Sequence, residues 1–317
     1  MLTNALIFLL LILNPSAAFF VYPQNAEEPQ TSSNQRIIAD ISDLKLPLSE
    51  NLFVSAQILL PDGPIRNWEI ADPKISAKSV LIFDEKNNSA LFEYNGIRES
   101  RPIASLTKLM TALVVIENAK TEDIFSVSQE AVNTEGIMGG FLAGESLTVK
   151  NLLSAMLIES SNDAAAALAE NIEKKSGRNF IDLMNKKAAN MGLKDTSFAD
   201  SSGLNPSNFS SAWELVKIMA EVLKQPILVE IMQTKQTSIT SQEGDKHILN
   251  NTNKLLGKIP QIIAAKTGYT EEAGNCMATA FAAPDGKSTV IVVVMDTPDR
   301  MAETSNLIKW TNKAYSW

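Results

Sequence analysis

The stretch that decides the fold reads Pro102-Ile103-Ala104-Ser105-Leu106-Thr107-Lys108-Leu109-Met110-Thr111. Lys108 follows Ser105 by three residues, and positions i and i+3 share one face of a helix, so the lysine can reach the serine hydroxyl. The run after it, residues 109–116, is apolar except for Thr111. The pattern therefore predicts a helix from Ser105 to about Asn118 that is buried on nearly every side, and Lys108 is buried with it.

Burial would allow Lys108 to act as a base. A desolvated lysine loses its proton more easily, because an apolar environment disfavours the charged form. Lowering its pKa from about 10.4 to about 7 takes roughly 4–5 kcal/mol of environment. A neutral lysine beside a serine is a base beside a nucleophile. The spacing alone is weak, because a second Ser-x-x-Lys at residues 42–45 lies beside Pro47 in a polar segment, where we interpret it as a chance match.

The composition narrows the class of catalyst. The chain has 317 residues and a net charge of −8, which argues against a nucleic-acid-binding surface. Cys276 and His247 are its single cysteine and histidine, so we expect no internal disulfide and neither a metal nor another cofactor. A Ser-His-Asp triad would need His247, and no Gly-x-Ser-x-Gly elbow accompanies it. A serine nucleophile would therefore use a lysine base. We interpret His247 as a surface or loop residue and Cys276 as a buried strand residue.

The N-terminal part is predicted to lie outside the folded domain. Residues 1–18 have the apolar core and the small residues of an export signal. An uncleaved anchor over residues 5–22 is the alternative, and it would associate the protein with a membrane. Residues 19–75 are predicted to be a partly disordered spacer, rich in polar residues and proline in its first half. The folded domain is then residues 76–317, exported to the cell envelope.

Strand patterns stand at both ends of this domain, with helices between them. Apolar runs at 80–83 and 90–94 predict a hairpin, and runs at 276–282 and 288–295 predict another across Pro284-Asp285-Gly286. The predicted helices are 149–158, 163–175, 180–191, one that begins at Ser211 and ends before Pro226, and 302–315. This order favours a mixed α/β (α+β) fold, in which one antiparallel sheet is built from both ends of the domain and flanked by helices, with a helical lobe inserted.

Two further motifs follow the Ser105 helix. Ser160-Ser161-Asn162 lies in a tight loop between two predicted helices, although Asn162 or Asp163 could simply cap the second of them. Lys266-Thr267-Gly268 follows an apolar run and predicts the edge of the sheet, where a glycine indicates close approach of a ligand or of another backbone. Both patterns also occur elsewhere, at Ser32-Ser33-Asn34 and at Lys175-Ser176-Gly177. Their order, spacing and context are therefore more specific than any single copy.

In that order and context the three motifs resemble those of serine-type D-Ala-D-Ala carboxypeptidases, the low-molecular-mass penicillin-binding proteins. The resemblance covers about residues 76–316, and it is carried by the longer segments 102–112, 146–153, 160–165, 202–204 and 266–270. It implies a β-lactamase/transpeptidase-like fold and a penicillin-binding catalytic domain active in cell-wall synthesis and remodelling. It also implies a peptidoglycan stem peptide as substrate and β-lactam antibiotics as covalent inhibitors.

The resemblance implies a catalytic set, Ser105, Lys108 and Ser160, and a substrate-binding set, Asn162, Lys266, Thr267, Gly268 and Tyr269. Ser105 would attack the carbonyl between two D-alanines, Lys108 would take its proton, and Ser160 would relay a proton to the leaving D-alanine. Asn162 would hold Lys108 and the substrate backbone. Lys266 and Thr267 would bind the terminal carboxylate, and Lys266 would help to keep Lys108 neutral. The backbone N–H groups of Ser105 and Tyr269 would form the oxyanion hole.

Three alternatives remain open on the sequence. The chain stops at Trp317, just after the expected last helix, as in relatives that are D,D-endopeptidases and cut cross-links. A class A β-lactamase would need a glutamate between the second and third motifs, yet residues 174–213 contain none, and Glu214 has capping-box spacing. A non-catalytic peptidoglycan-binding protein could keep the fold, but all the expected catalytic side chains are present. Ser161 departs from the glycine of many relatives.

Overall fold

The computed structural model describes residues 63–136 and 139–317. The predicted export signal at 1–18, the second Ser-x-x-Lys at 42–45 and the first part of the predicted spacer lie outside the described residues. Among the described helices, none combines the length and the apolar character needed to cross a membrane.

A five-stranded antiparallel sheet forms the centre of the fold. The described strands are β1 (Ile65–Arg66), β2 (Ser79–Asp84), β3 (Ser89–Tyr94), β4 (Arg101–Pro102), β5 (Ile124–Ser126), β6 (Ser146–Thr148), β7 (Phe209–Ser210), β8 (Gln236–Thr240), β9 (Lys246–Asn250), β10 (Ile262–Thr270), β11 (Gly274–Ala282), β12 (Thr289–Thr297) and β13 (Tyr315–Ser316). The central sheet has the order β10-β11-β12-β2-β3. Val292 of β12 lies opposite Ile82 of β2, so the two ends of the domain meet there. The predicted sheet built from both ends is confirmed.

Helices cover both faces of the central sheet. The described α-helices are α1 (Thr107–Asn118), α2 (Gln129–Val132), α3 (Val149–Ser154), α4 (Asn162–Ser176), α5 (Phe180–Asn190), α6 (Ala212–Leu223), α7 (Pro226–Gln233) and α8 (Arg300–Ala314). Successive strand residues point to opposite faces, and β12 divides its apolar run accordingly. Ile291 and Val293 join the core that contains α1 and α6, whereas Val292 joins the core beneath α8.

The helices between the strands match the prediction except at three places, of which the first is the short α2, where no helix is predicted. The helix that Thr148 caps is α-helical only to Ser154, and it continues as a π-helix over Ala155–Glu159. A further helix, α7, begins at Pro226, where the sequence predicts only an end. Proline fits there because the first residue of a helix has no intrahelical use for its N–H. The periodicity of a short apolar segment does not distinguish either feature from an ordinary helix end.

Residues 65–71, which the sequence analysis assigns to the spacer, pack on the domain. β1 pairs with β13 at the C-terminus. The Arg66 guanidinium lies 4.6 Å from the centre of the Trp310 ring, and Trp310 Nε1 donates to Ala71 O at 2.8 Å. Trp310 and Tyr315 thus serve packing at the domain's edge. The folded region begins before residue 76.

Replacing Arg66 with methionine tests this edge of the domain. We expect the free energy of unfolding to fall by about 1–2 kcal/mol, because the variant loses a desolvated cation–π contact and a hydrogen bond to Ile70 O. Asp72→Asn is the matched control, since Asp72 pairs with Arg66 at 3.1 Å but is 70% exposed, and removing an exposed ion pair costs about 0–1 kcal/mol. Urea unfolding measures both. Equal effects of the two variants would contradict the packing role.

The predictions for Cys276 and His247, the two residues to which the sequence assigns no function, fare differently. Cys276 is fully buried on β11, as predicted, and burial raises the pKa of its thiol to about 11. The interpretation of His247 as a surface or loop residue is wrong. It lies on β9 with its Nε2 3.0 Å from an oxygen of the buried Glu145 carboxylate, and its ring centre is 4.7 Å from that of Phe141, with the two rings tilted. A single polar residue in a sequence does not reveal a partner that lies far away in the same chain.

Candidate active site

Ser105 lies on a tight 3-10 turn that immediately precedes α1. The turn covers Ala104–Leu106, and Ala104 has a φ of +45°, a conformation that costs a non-glycine residue free energy and is frequent at functional sites. Thr107 steadies it by donating its hydroxyl to Ala104 O at 2.8 Å. The apolar helix that follows is buried from Thr107 to Val115. Ser105 is therefore held on the turn just before a buried helix, whereas the sequence predicts that the helix begins at Ser105 itself.

Lys108 is fully buried and touches the serine. Its Nζ lies 2.9 Å from Ser105 Oγ, 2.6 Å from Asn162 Oδ1 and 2.6 Å from Ser202 O. Burial lowers the pKa of Lys108 to about 7, against the opposing attraction of Asp200 and Asp163. Asn162 Oδ1 and Ser202 O can only accept hydrogen bonds. A neutral Lys108 gives both of its N–H groups to them, so its lone pair faces the Ser105 hydroxyl.

Ser160 carries the second hydroxyl of the site. It ends the π-helix with a φ of +70°, and the N–H of Ser161 donates back to Ala155 O at 3.3 Å. π-helical turns are rare and frequent at functional sites. Here the turn directs Ser160 Oγ toward Lys266, whose Nζ donates to it at 2.8 Å. Two serine–lysine pairs therefore stand in one region of the molecule.

Lys266 lies on β10, the strand at the edge of the central sheet, as predicted. It is buried and also donates to Thr267 O at 2.9 Å. Burial lowers its pKa well below the ordinary value, and repulsion from Lys108 and Arg300 lowers it further. A charged Lys108 therefore makes Lys266 easier to deprotonate.

The loop after Ser160 is fixed from both sides. Asn162 accepts from Lys108 and donates its Nδ2 to Glu135 O at 2.8 Å. Ser161, rather than Asn162 or Asp163, caps α4 by accepting from Ala164 N at 3.0 Å. Asp163 is fully buried, and both of its carboxylate oxygens accept from the Gly139 N–H at 2.9 and 2.8 Å. Asn162 is therefore free of the capping role that the sequence left open.

The edge strand approaches the nucleophile at a glycine. A Cβ added to Gly268 would lie 3.1 Å from both Ile103 O and Ser105 N, so the backbones are nearly in contact. The next residue, Tyr269, has a side chain that is 60% exposed and a backbone paired with Asn275. Arg300 Nη1 donates to Gly268 O at 2.7 Å and supports the strand. An oxyanion hole from Ser105 and Tyr269 stays a prediction.

Comparison with known proteins agrees with this geometry. The family model for D-alanyl-D-alanine carboxypeptidases matches residues 67–299, most of the chain. The protein belongs to this family. Among curated relatives, the D-alanyl-D-alanine carboxypeptidase DacF of Bacillus subtilis is 31% identical over 87% of this chain and 71% of its own. A D-alanyl-D-alanine endopeptidase of Haemophilus influenzae is 36% identical over 62% of this chain and 68% of its own.

The structural neighbours of this D-Ala-D-Ala carboxypeptidase family member have the same fold. A crystal structure of a Streptomyces DD-transpeptidase aligns with a TM-score of 0.70 and 26% identity, covering 76% of this chain and 98% of that one. The predicted family, its penicillin-binding fold and the class of serine D-Ala-D-Ala carboxypeptidase are confirmed.

A second glycine of the carboxypeptidase, Gly203, packs against the backbone of the nucleophile. Gly203 has a φ of +89°, and a Cβ there would lie 2.0 Å from Ala104 O and 2.9 Å from Ser105 N. The segment 202–204, which carries part of the family resemblance, is therefore a wall of the site. Its Ser202 carbonyl also accepts from Lys108. Only glycine fits, because the position combines a left-handed backbone with contact to another backbone.

Gly203→Ala is expected to damage both stability and activity. The methyl group collides with backbone atoms that cannot rotate away, so we expect a loss of about 2–4 kcal/mol of unfolding free energy and at least about 100-fold in acylation rate. Gly192→Ala is the control, since its φ is +69° and nothing lies within 4 Å. It should cost about 1–2 kcal/mol and leave acylation unchanged. Thermal unfolding and labelled-penicillin kinetics measure the two effects, and similar acylation in both variants would be the contrary result.

Sequence reasoning missed two residues that complete the surroundings of Lys266. Thr252 Oγ1 accepts from Thr267 Oγ1 at 2.8 Å, and Arg300 lies close enough to Lys266 to lower its pKa. Neither belongs to a spaced motif. Thr252 stands 14 residues before Lys266 in an irregular segment, and Arg300 opens a different helix. An Asn-Thr-Asn triplet at 251–253 is the only local signal, and it resembles any polar turn.

Proposed function

We propose that this enzyme removes the terminal D-alanine from peptidoglycan stem pentapeptides through an acyl-enzyme on Ser105. The observation that carries the proposal is the Ser105–Lys108 pair, 2.9 Å apart, with the pKa of the buried lysine lowered to about 7. A group of that pKa is about half neutral at neutral pH, so it can accept the serine proton without any histidine.

Acylation uses both serine–lysine pairs. Ser105 Oγ bonds to the carbonyl carbon of the penultimate D-alanine while its proton passes to Lys108 Nζ. The tetrahedral intermediate then collapses, and the C–N bond to the terminal D-alanine breaks. Ser160 gives its proton to the leaving nitrogen, and it regains one from Lys108 by proton transfer within the site. Water then attacks the ester carbon while Lys108 takes a water proton. The bond to Ser105 Oγ breaks, Lys108 returns that proton to the serine oxygen, and the shortened peptide leaves.

Lys266 and Thr267 would bind the terminal carboxylate. In the unliganded site burial holds the pKa of Lys266 well below its usual range. A carboxylate within about 4–6 Å favours the ammonium form, so substrate binding would raise that pKa again. A protonated Lys266 then repels a proton on Lys108 and keeps the base neutral. Substrate binding and base activation are coupled in this way through one buried cation.

One structural observation and one comparison with a relative bear on the alternatives. Glu214 is not available as a β-lactamase base, because its carboxylate accepts from the N–H groups of Lys194 and Asp195 at 2.7 and 3.0 Å. The predicted capping box is thus only half made, with Ser211 Oγ accepting from Glu214 N. Cleavage of cross-links is the second candidate, since the endopeptidase of Haemophilus influenzae is 36% identical.

The test incubates the purified full chain with a stem pentapeptide and with a cross-linked muropeptide dimer. Release of D-alanine from the pentapeptide is expected, with the dimer left largely intact. Conversion of the dimer to monomers without D-alanine release would instead assign an endopeptidase. Rapid turnover of nitrocefin would assign a β-lactamase, and no covalent labelling by penicillin would exclude catalysis through Ser105.

The setting of the reaction follows from the substrate. Peptidoglycan lies outside the cytoplasmic membrane, so we propose export through the signal at residues 1–18, or retention by an uncleaved anchor there. β-Lactams would acylate Ser105 in place of the peptide, because their strained amide takes the position of the scissile bond. N-terminal sequencing of the mature protein distinguishes cleavage from anchoring.

A further inference from the structure

The segment Asn251–Asn253 connects the π-helix that presents Ser160 with the edge strand that carries Lys266. Thr252 donates its backbone N–H to Ile158 O at 3.0 Å, two residues before Ser160. Its hydroxyl lies 2.8 Å from that of Thr267, next to Lys266 on the edge strand. Thr252 thus touches the π-helix that presents Ser160 and the strand that presents Lys266. The side chain stands where both motifs converge.

The neighbours of Thr252 fix the backbone through their side-chain amides. Asn251 Nδ2 donates to Thr234 O at 2.9 Å, and Asn253 Oδ1 accepts from Leu255 N at 3.0 Å. Both asparagines are buried, at 5% and 3% exposure, whereas Thr252 is only half-buried. The segment therefore holds Thr252 in one orientation and leaves its side chain open toward the site.

In the hydrogen bond between the two threonine hydroxyls, the proton of Thr252 is not the one that is shared. Thr267 donates to Thr252, so the Thr252 oxygen is the acceptor and its own proton points elsewhere. Within residues 63–136 and 139–317, the Thr252 hydroxyl makes no second hydrogen bond to a protein group. A hydroxyl that accepts one hydrogen bond becomes a better donor of the next. An unused donor beside a buried lysine suits an anion.

We propose that Thr252 is a further binding residue for the terminal carboxylate of the substrate. This inference rests on the proposed function, since it places the carboxylate at Lys266 and Thr267. The Thr252 hydroxyl donates to one carboxylate oxygen, and Thr267 turns to donate to the other. Lys266 supplies the charge. The three donors distinguish a free carboxylate from an ester or amide, because a carboxylate has two charged acceptor oxygens and an ester or amide is neutral.

The test compares two thioester substrates, N-benzoyl-D-alanyl-thioglycolate and its methyl ester, which differ only in the terminal carboxylate. The activated thioester keeps hydrolysis of both measurable. We expect Thr252→Val to lower kcat/KM for the carboxylate substrate by about 10- to 100-fold, the effect of losing a hydrogen bond to a charged group. The methyl ester should change by less than about twofold, because it makes no such bond. Thr252→Ser, which keeps the hydroxyl, should retain the preference of the wild type.

Three results would overturn the assignment. Equal losses on both substrates would show that Thr252 only supports the structure, and unchanged kinetics on both would show that its hydroxyl binds nothing. Failure of Thr252→Ser to retain the preference would exclude the hydroxyl as the cause. Release of D-alanine from a pentapeptide by the wild type is measured alongside. Its absence overturns the proposed function and this inference together, whereas an active wild type with unchanged selectivity in Thr252→Val overturns this inference alone.

Discussion

We expect the Ser105→Ala enzyme to lose covalent labelling by penicillin entirely and D-alanine release by at least about 10⁴-fold. Without the hydroxyl no ester can form, and Lys108 has no proton to accept from it. The side chain is small and lies at the surface of a rigid turn, so its removal should leave the fold intact. Gel fluorescence with labelled penicillin and release of D-alanine from a pentapeptide measure the two losses.

The chain supplies its own control in the second Ser-x-x-Lys. Ser42→Ala changes the same pattern at a position we interpret as a chance match, so labelling and hydrolysis should remain those of the wild type. Thermal unfolding of both variants confirms that each is folded. Persistent labelling of Ser105→Ala, or loss of labelling in Ser42→Ala, would assign the nucleophile elsewhere.

Replacing Lys108 with methionine is expected to slow acylation by about 10²–10⁴-fold, the usual contribution of a positioned base. The pH dependence identifies the role. With the pKa of Lys108 at about 7, the neutral fraction of the wild type rises about tenfold per pH unit below 7 and levels off above it. The acylation rate should follow the same curve. The methionine variant should keep only a slow rate that lacks this rise.

His247→Gln is the matched control for the pH profile. His247 is the single histidine of the chain, and histidine is the residue type that ordinarily titrates near neutral pH. If Lys108 is the base, the His247→Gln enzyme keeps the rise below pH 7. Second-order acylation rates between pH 5 and 9 with labelled penicillin measure all three proteins. A rise that survives in Lys108→Met but disappears in His247→Gln would reverse the assignment.

The sequence predicts those parts of the site that depend on local periodicity. The apolar run after Lys108 predicts its burial, because a helix without a polar face has no side to give to water. The runs around 276–282 and 288–295 predict the strands that place Lys266 at an edge. In both cases the structural signal lies within about ten neighbouring residues.

The parts that the sequence does not predict depend on contacts between distant segments. Thr252 contacts Thr267, which lies 15 residues further along the chain, and His247 contacts Glu145, which lies 102 residues away in the sequence. Arg66 packs against the last helix of the domain, so the spacer is predicted too long. The π-helix differs from an α-helix by one residue per turn, which no polar–apolar pattern resolves. Such features follow from tertiary packing and become visible only in three dimensions.

The π-helix sets the rotational phase of Ser160. Each residue of an α-helix advances by about 100°, so deleting one residue between Ala155 and Glu159 would turn Ser160 by roughly that angle away from Lys266. Exchanging one apolar side chain for another in this segment would leave the direction of Ser160 unchanged. This segment therefore tolerates substitution far better than any change in its length. The number of residues in this segment therefore determines the catalytic geometry. The wide π-helical turn places Ser160 in a position that the regular repeat of an α-helix would not reach.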